Sequence, residues 1–98
     1  MRPIEKREIT VKGVKWHIRM VPPGHKLLED NYGCVDFDSS TMYLRKNLTT
    51  ETMWSTFWHE LLHIVAFGYT TLDLCEDWGV EATSGELMNV ARQLNLLD

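Results

Sequence analysis

The residues best suited to chemistry are those of the pentapeptide His59-Glu60-Leu61-Leu62-His63. On an α-helix, residues i and i+4 lie one above the other on the same face, so His59 and His63 can reach one metal ion together. Glu60 lies about 100° further round the helix, near enough to hold a water molecule on that ion. Two imidazole ligands beside a carboxylate predict one bound Zn²⁺ ion. They also predict hydrolysis of a peptide bond by the zinc-activated water, with Glu60 as general base.

The sequence around the pentapeptide predicts a long helix from Thr50 to Phe67. Its polar residues fall on one stripe, and that stripe carries both histidines and Glu60. Apolar side chains cover the rest of the circumference, which is typical of a central, buried helix. Thr49 suits the N-cap position, because its hydroxyl can accept a hydrogen bond from the first helical turn. We therefore expect the polar stripe to face a cleft or polar ligands.

Four segments that precede this helix are predicted strands: residues 9–11, 14–21, 32–37 and 41–45. Gly13 and the Asp-Ser-Ser run at 38–40 predict turns that join them in two hairpins. A second helical pattern follows the first helix in the C-terminal part of the chain. The predicted fold class is α+β, with a small antiparallel sheet of three to four strands, a central HExxH helix and a C-terminal helix. We expect a single domain over residues 1–98.

The composition is that of an ordinary soluble globular domain, with 44% hydrophobic residues, 24% charged residues and a net charge of −4. No dense cluster of lysine or arginine is present, so binding to nucleic acid is not expected. The first ten residues lack the apolar run of a signal peptide, and Met53 to Tyr69 is short for a membrane span. We expect a cytoplasmic protein without a membrane partner, in which Cys34 and Cys75 are free thiols.

Catalytic zinc sites usually have three protein ligands, and the pentapeptide supplies two. No histidine follows His63, so the third ligand is expected to be a downstream carboxylate. Glu76 shares a face with Val80 that should meet the first helix, whereas Glu81 lies on a flanking face. The downstream carboxylates that remain open are Asp73, Glu76, Asp77, Glu81 and Glu86.

Four segments of the chain resemble the small HExxH proteins of phages and prophages, which are grouped with the zincin metallopeptidases. The segments are 32–36 (Tyr-Gly-Cys-Val-Asp), 42–44 (Met-Tyr-Leu), 59–63 (His-Glu-Leu-Leu-His) and 76–80 (Glu-Asp-Trp-Gly-Val). The resemblance covers residues 14–94 and implies one zincin-like metallopeptidase domain. It also implies acidic residues that open the last helix just before a valine, which favours Glu76 as third ligand and keeps Glu81 as the alternative. The implied location is the cytoplasm of a bacterium or of a phage-infected cell.

The resemblance also implies how a substrate binds. In zincin-like folds an extended peptide pairs with an edge strand beside the active helix. Strand 41–45 comes just before that helix, so Tyr43 and Leu44 are the expected substrate-binding residues.

Three functions compete on this evidence. The leading one is a zinc-dependent metalloendopeptidase that hydrolyses peptide or protein substrates. The alternative is a non-catalytic zinc-binding module, regulatory or partner-binding, that retains the zincin site. The third is a structural domain in which both histidines are bonded to core carbonyls and the motif is fortuitous. Metal analysis separates the third function from the first two, and a peptide-cleavage assay separates the first from the second.

Overall fold

The computed structural model describes residues 2–66, 87–94 and 96 of the chain. These residues form an α+β fold. Its strands are β1 (Glu8–Val11), β2 (Val14–Val21), β3 (Gly33–Asp36) and β4 (Thr41–Arg45), and its long helix is α1 (Thr50–Ala66). Residues 87–93 are also helical and are called the C-terminal helix below. Neither of the helical segments described here has the length and apolar character needed to cross a membrane.

The first hairpin closes through a tight turn at Lys12 and Gly13. Both residues have positive φ, 52° and 79°, which is the signature of a type I′ turn and matches the twist of the flanking strands. β1 and β2 pair antiparallel on either side of it. The Lys12 ammonium also donates to the carbonyl oxygen of Val65 at 3.4 Å. The turn is thereby tied to the last turn of α1.

Asp36 organises the turn of the second hairpin. Its carboxylate accepts hydrogen bonds from the backbone N–H of Asp38 at 3.0 Å and from the hydroxyl of Ser39 at 2.9 Å. Such short polar side chains favour turns because they bond to the backbone a few residues on. β3 and β4 pair antiparallel through this turn, so the predicted hairpin is confirmed.

The sheet is mixed, and the prediction of an antiparallel sheet is therefore wrong. The strand order is β1-β2-β4-β3, and the two central strands β2 and β4 are parallel. After β2 the chain returns as β3 on the far side, and β4 then enters between them. The burial of β4 fits this position, because Thr41 to Leu44 are consecutively buried. A continuous buried run is typical of an interior strand beside a parallel neighbour.

β4 is an interior strand, so the expectation of an edge strand, on which the prediction of Tyr43 and Leu44 as substrate-binding residues rests, is wrong. Both edges of β4 are hydrogen-bonded, one to β2 and the other to β3. Leu44 is fully buried and Tyr43 is 8% exposed. A substrate strand would find no unpaired backbone groups there.

The core lies between α1 and one face of the sheet. Phe57, Leu61 and Val65 of α1 are fully buried in it, and Val90 of the C-terminal helix packs against the same cluster. Burial of each large apolar side chain contributes about 1.5–3 kcal/mol. This contact therefore fixes the rotation of α1 about its own axis. The sheet residues in the cluster are Ile9, Val11, Trp16, Ile18, Met42 and Leu44.

Side-chain amides of the C-terminal helix occupy the β1 edge of the sheet. Gln93 Oε1 accepts from the backbone N–H of Thr10 at 2.7 Å, and Gln93 Nε2 donates to the Thr10 carbonyl at 2.8 Å. The Asn89 amide donates to the same carbonyl at 3.3 Å. Gln93 thus makes the two bonds that a neighbouring strand would make, and it protects an edge that another chain could otherwise pair with.

Replacing Gln93 with Ala should lower the free energy of unfolding by about 1–3 kcal/mol, because both bonds to Thr10 are lost and each contributes about 0.5–1.5 kcal/mol. A urea titration measures the change. Arg92→Ala, at an exposed position of the same helix, is the matched control and should alter stability by less than about 0.5 kcal/mol. A Gln93→Ala variant as stable as the parent would contradict the role of the amide at this edge.

Candidate metal centre

Helix α1 begins at the threonine cap that the sequence predicts. The Thr49 hydroxyl oxygen accepts a hydrogen bond from the backbone N–H of Thr52 at 3.2 Å. It thereby satisfies one of the N–H groups that a first helical turn leaves unpaired. The helix continues for 17 residues and carries the whole pentapeptide in its regular interior. His59 and His63 therefore have the helical i, i+4 relation that a shared ion requires.

The buried face of α1 determines where the three functional side chains point. Phe57 and Leu61 are fully buried against the sheet. At about 100° per residue, His59 and His63 fall on the opposite side of the helix, and both are exposed. Glu60 falls between the two sides and is only 7% exposed. The helix thus presents two accessible imidazoles beside a buried carboxylate.

The two imidazole rings bring one nitrogen atom each to the same place. Nε2 of His59 and Nε2 of His63 are 3.3 Å apart, and the ring planes are nearly perpendicular at 85°. Tetrahedral zinc with Zn–N bonds of about 2.0–2.1 Å separates two nitrogen ligands by about 3.3 Å. The pair therefore has the separation that a shared zinc ion requires, which is also that of a hydrogen bond between the two rings.

His59, Glu60 and His63, called the metal-binding group below, are the cluster of potential metal ligands found in the described part of the chain. Their ligand atoms all lie within 4.8 Å of one another. Imidazole nitrogen and carboxylate oxygen are ligand types that zinc accepts. The residues therefore fit a metal ion, and the predicted grouping of these three side chains is confirmed. That an ion binds there, and that the ion is zinc, both stay predictions.

The surroundings of Glu60 disfavour its charged form. Burial raises the pKa of the carboxyl group above its ordinary value, and the neighbouring His63 and His59 partly offset this by lowering it. A carboxylate with a raised pKa holds a proton more tightly than an exposed one, which is the property of a general base. A carboxylate suited to proton transfer therefore adjoins the two imidazoles.

Gly33 allows β3 to lie directly against Glu60. A Cβ atom at this position would come within 2.8 Å of Thr56 Cγ2, 3.0 Å of the Tyr43 carbonyl oxygen and 3.2 Å of Glu60 Cγ. The strand therefore approaches α1 at a distance that only glycine permits. The sequence predictions assign no role to Gly33. The signal that could have found it is a glycine inside a predicted strand, which often marks a close approach of backbone.

A cleft of about 730 Å³ lies beside this contact and is lined by β3 with its flanking residues and by the polar stripe of α1. One wall comprises Asn31, Tyr32, Gly33, Cys34, Val35 and Phe37, and the other comprises Glu51, Thr52, Ser55, Thr56, His59, Glu60 and His63. The metal-binding group thus lines the cleft, as predicted for the polar stripe.

The open edge of β3 borders this cleft. The backbone N–H of Arg45 donates to the Tyr32 carbonyl at 2.8 Å, so Tyr32 faces β4 with its backbone groups. In an antiparallel pair this orientation alternates along the strand. From the register of β3 and β4, Gly33 and Val35 therefore direct their N–H and C=O groups away from β4. Among the residues that the structure describes, no strand pairs with these outward backbone groups.

The predicted third ligands lie outside the described residues. Glu76 and its alternative Glu81 fall between residues 67 and 86, so their assignment stays a prediction. The other downstream carboxylates in that range are Asp73, Asp77 and Glu86. Cys75 lies there as well, whereas Cys34 is a free, partly buried thiol.

Comparisons with protein-family models, with curated proteins and with solved structures find no match for this chain. The feature of the structure that agrees with the resemblance to HExxH proteins is therefore the metal-binding group itself. Any functional assignment rests on the chemistry of these residues and of the cleft around them.

Gly33→Ala should lower the free energy of unfolding by about 1–3 kcal/mol, because the added methyl group forces β3 and α1 apart. Chemical denaturation measures this loss. Ser55→Ala, an equally small change at an exposed position on the opposite wall, should leave stability nearly unchanged. Equal stabilities of the two variants would show that the approach at Gly33 is not tight.

Glu60→Gln should raise the melting temperature of the metal-free chain at pH 7. The folded-state pKa of Glu60 is raised above the unfolded value of about 4.3. The carboxyl group therefore favours folding below that value, and this contribution is lost as the pH rises through the raised pKa. The advantage of the variant should be greatest at neutral pH and absent below about pH 4. Thermal melts with chelator across this range measure it, and an advantage independent of pH would contradict the assignment.

Proposed function

We propose that the chain is a zinc-dependent endopeptidase of the zincin type, related to the small HExxH proteins of phages and prophages. It would act on peptide or protein substrates in the cytoplasm of a bacterial or phage-infected cell. The observation that carries the proposal is the 3.3 Å separation of the His59 and His63 Nε2 atoms beside the buried Glu60. A purely structural histidine pair would be buried and bonded to core carbonyls, whereas both of these rings are exposed in a cleft.

His59 and His63 would hold the Zn²⁺ ion through Nε2, with Glu76 as the third protein ligand and Glu81 as its alternative. When bound, zinc lowers the pKa of a coordinated water towards about 7 and polarises the substrate carbonyl. Both imidazoles must be neutral to act as ligands, so binding should weaken in acid. The accessibility of the two rings leaves room for a peptide to approach the same point.

Glu60 would act as the general base and then as the general acid. It accepts a proton from the attacking water as the water oxygen bonds to the peptide carbonyl carbon. It then passes that proton to the nitrogen of the leaving amine as the C–N bond breaks. Its burial supports this role, because the raised pKa makes the carboxylate a better proton acceptor. The close approach of Gly33 keeps it on the inner side of the cleft.

Strand β3 would bind the substrate, in place of the interior strand β4. The outward N–H and C=O groups of Gly33 and Val35 can pair with an extended peptide, which then lies along the cleft. Gly33 is also the residue nearest to Glu60 on this strand, so a paired peptide passes close to the base. At the other sheet edge, β1, the backbone groups of Thr10 are already hydrogen-bonded to Gln93.

A peptide-library cleavage assay on the zinc-loaded chain, with and without chelator, tests the proposal. Glu60→Gln should retain zinc and lose at least about 100-fold in cleavage rate, because general base catalysis contributes about 10²–10⁴-fold. His63→Ala should lose both zinc and activity. Glu5→Gln removes an exposed carboxylate outside the cleft and should behave as the parent.

Two results would contradict the proposal in different ways. Full activity of Glu60→Gln would remove Glu60 from the chemistry. A chain that binds one zinc ion per molecule but cleaves no peptide in the library would be the non-catalytic zinc-binding module.

A further inference from the structure

The cleft extends well beyond the metal-binding group. Its α1 wall runs from His63 back to Glu51 in the first turn of the helix, a length of about 18 Å at 1.5 Å per residue. An extended peptide rises about 3.3 Å per residue, so this wall accommodates five or six residues. The metal-binding group lies at one end of the wall and Glu51 at the other.

The side chains that line the cleft carry negative charge. They include Glu51 and Glu60 but no lysine or arginine. The opposite wall has no acidic side chain of its own, and the Arg45 guanidinium lies 4.4 Å from the ring centroid of Tyr32 in that wall. Burial raises the pKa of the Cys34 thiol, and the negative charges of Glu60, Asp36 and Glu29 raise it further. The carboxylates of the α1 wall therefore favour a positively charged group on that side of the cleft.

Of the two carboxylates in the cleft, Glu51 is the one that can bind a positively charged group of a ligand. A bound metal ion offsets the charge of Glu60 at close range. Glu51 lies about 12 Å from His59 along the helix, beyond the screening length of about 8 Å at physiological salt. It is exposed, and the ion pairs formed within the described part of the chain involve Glu8 instead.

We propose that Glu51 selects a lysine or arginine side chain three or four residues from the scissile bond of the peptide substrate. This inference rests on the proposed function, because it takes the metal-binding group as the point of cleavage. The spacing follows from the rise per residue of a helix and of an extended peptide. The distance of about 12 Å along the helix matches three or four residues of extended peptide. An exposed ion pair of this kind should strengthen binding by about two- to fivefold.

Peptide hydroxamates test the inference without requiring cleavage, because the hydroxamate binds zinc and fixes the register of the peptide. One series carries the hydroxamate at the C-terminus and another at the N-terminus, so both chain directions are sampled. Within each series a single Lys, Gln or Glu is placed two, three, four or five residues from the hydroxamate. Dissociation constants are measured by fluorescence anisotropy on the zinc-loaded full chain at low and high salt.

We expect the Lys peptide to bind about two- to fivefold more tightly than the Gln peptide when Lys stands three or four residues away in one of the series. High salt should reduce this preference. Glu51→Gln should abolish it and Glu51→Lys should reverse it in favour of the Glu peptide. The Glu5→Gln variant has the same net charge as Glu51→Gln and should preserve the preference for the Lys peptide. Circular dichroism of each variant verifies that α1 is intact, since Glu51 also favours the helix N-terminus.

The possible failures separate this inference from the proposed function. Tight, zinc-dependent binding with equal affinity for Lys, Gln and Glu peptides would overturn the role of Glu51 and leave the peptidase proposal standing. A Lys preference that persists in Glu51→Gln would do the same. Hydroxamates that bind equally well without zinc, or do not bind at all, would overturn both proposals, because the metal-binding group would then not anchor a peptide.

Discussion

The packing of α1 against the sheet is the constraint on which the site depends. Phe57, Leu61 and Val65 are fully buried, and each contributes about 1.5–3 kcal/mol only while the helix keeps that face on the sheet. Rotation of the helix would expose this face, so the direction of every other side chain on it is fixed. The histidines consequently point away from the core, and Glu60 lies at the boundary between core and solvent. Two accessible imidazoles beside a buried carboxylate follow from this one contact.

Within the described residues, the two edges of the sheet differ in the hydrogen bonding of their outward backbone groups. At β1 the Gln93 amide satisfies the outward backbone groups of Thr10. At β3 the outward groups of Gly33 and Val35 border the cleft beside the metal-binding group. An unpaired strand edge normally carries a risk of aggregation. Here the β3 edge borders the metal-binding group, and the β1 edge lies on the opposite side of the sheet.

Local features of the site could be predicted from the sequence. The alternation in Val14–Val21, the Thr49 cap and the spacing of His59 and His63 each depend on residues that are near one another in the chain. Periodicity reports which face of an element is buried and where the element begins and ends. All these features are present in the structure.

The features that could not be predicted depend on residues far apart in the chain. Periodicity does not report which strand lies beside which, and the edge position predicted for β4 rests on the resemblance to zincin-like folds alone. The four consecutive buried residues of β4 instead fit an interior strand. The space at Gly33 is set by Thr56 and Glu60 of α1. The bond between Gln93 and Thr10 spans most of the chain. Contacts of this kind cannot be predicted from a local sequence pattern, because they form only when the elements pack together.

The central claim is that His59 and His63 share one zinc ion at the wall of this cleft. Zinc K-edge X-ray absorption on the chain loaded with zinc tests it most directly, because the spectrum distinguishes imidazole, oxygen and sulfur ligands. We predict one zinc ion per chain with two imidazole ligands at about 2.0–2.1 Å and oxygen in the remaining positions. A zinc–sulfur distance of about 2.3 Å, which would point to Cys34 or Cys75, would contradict the account, as would a chain that retains no zinc.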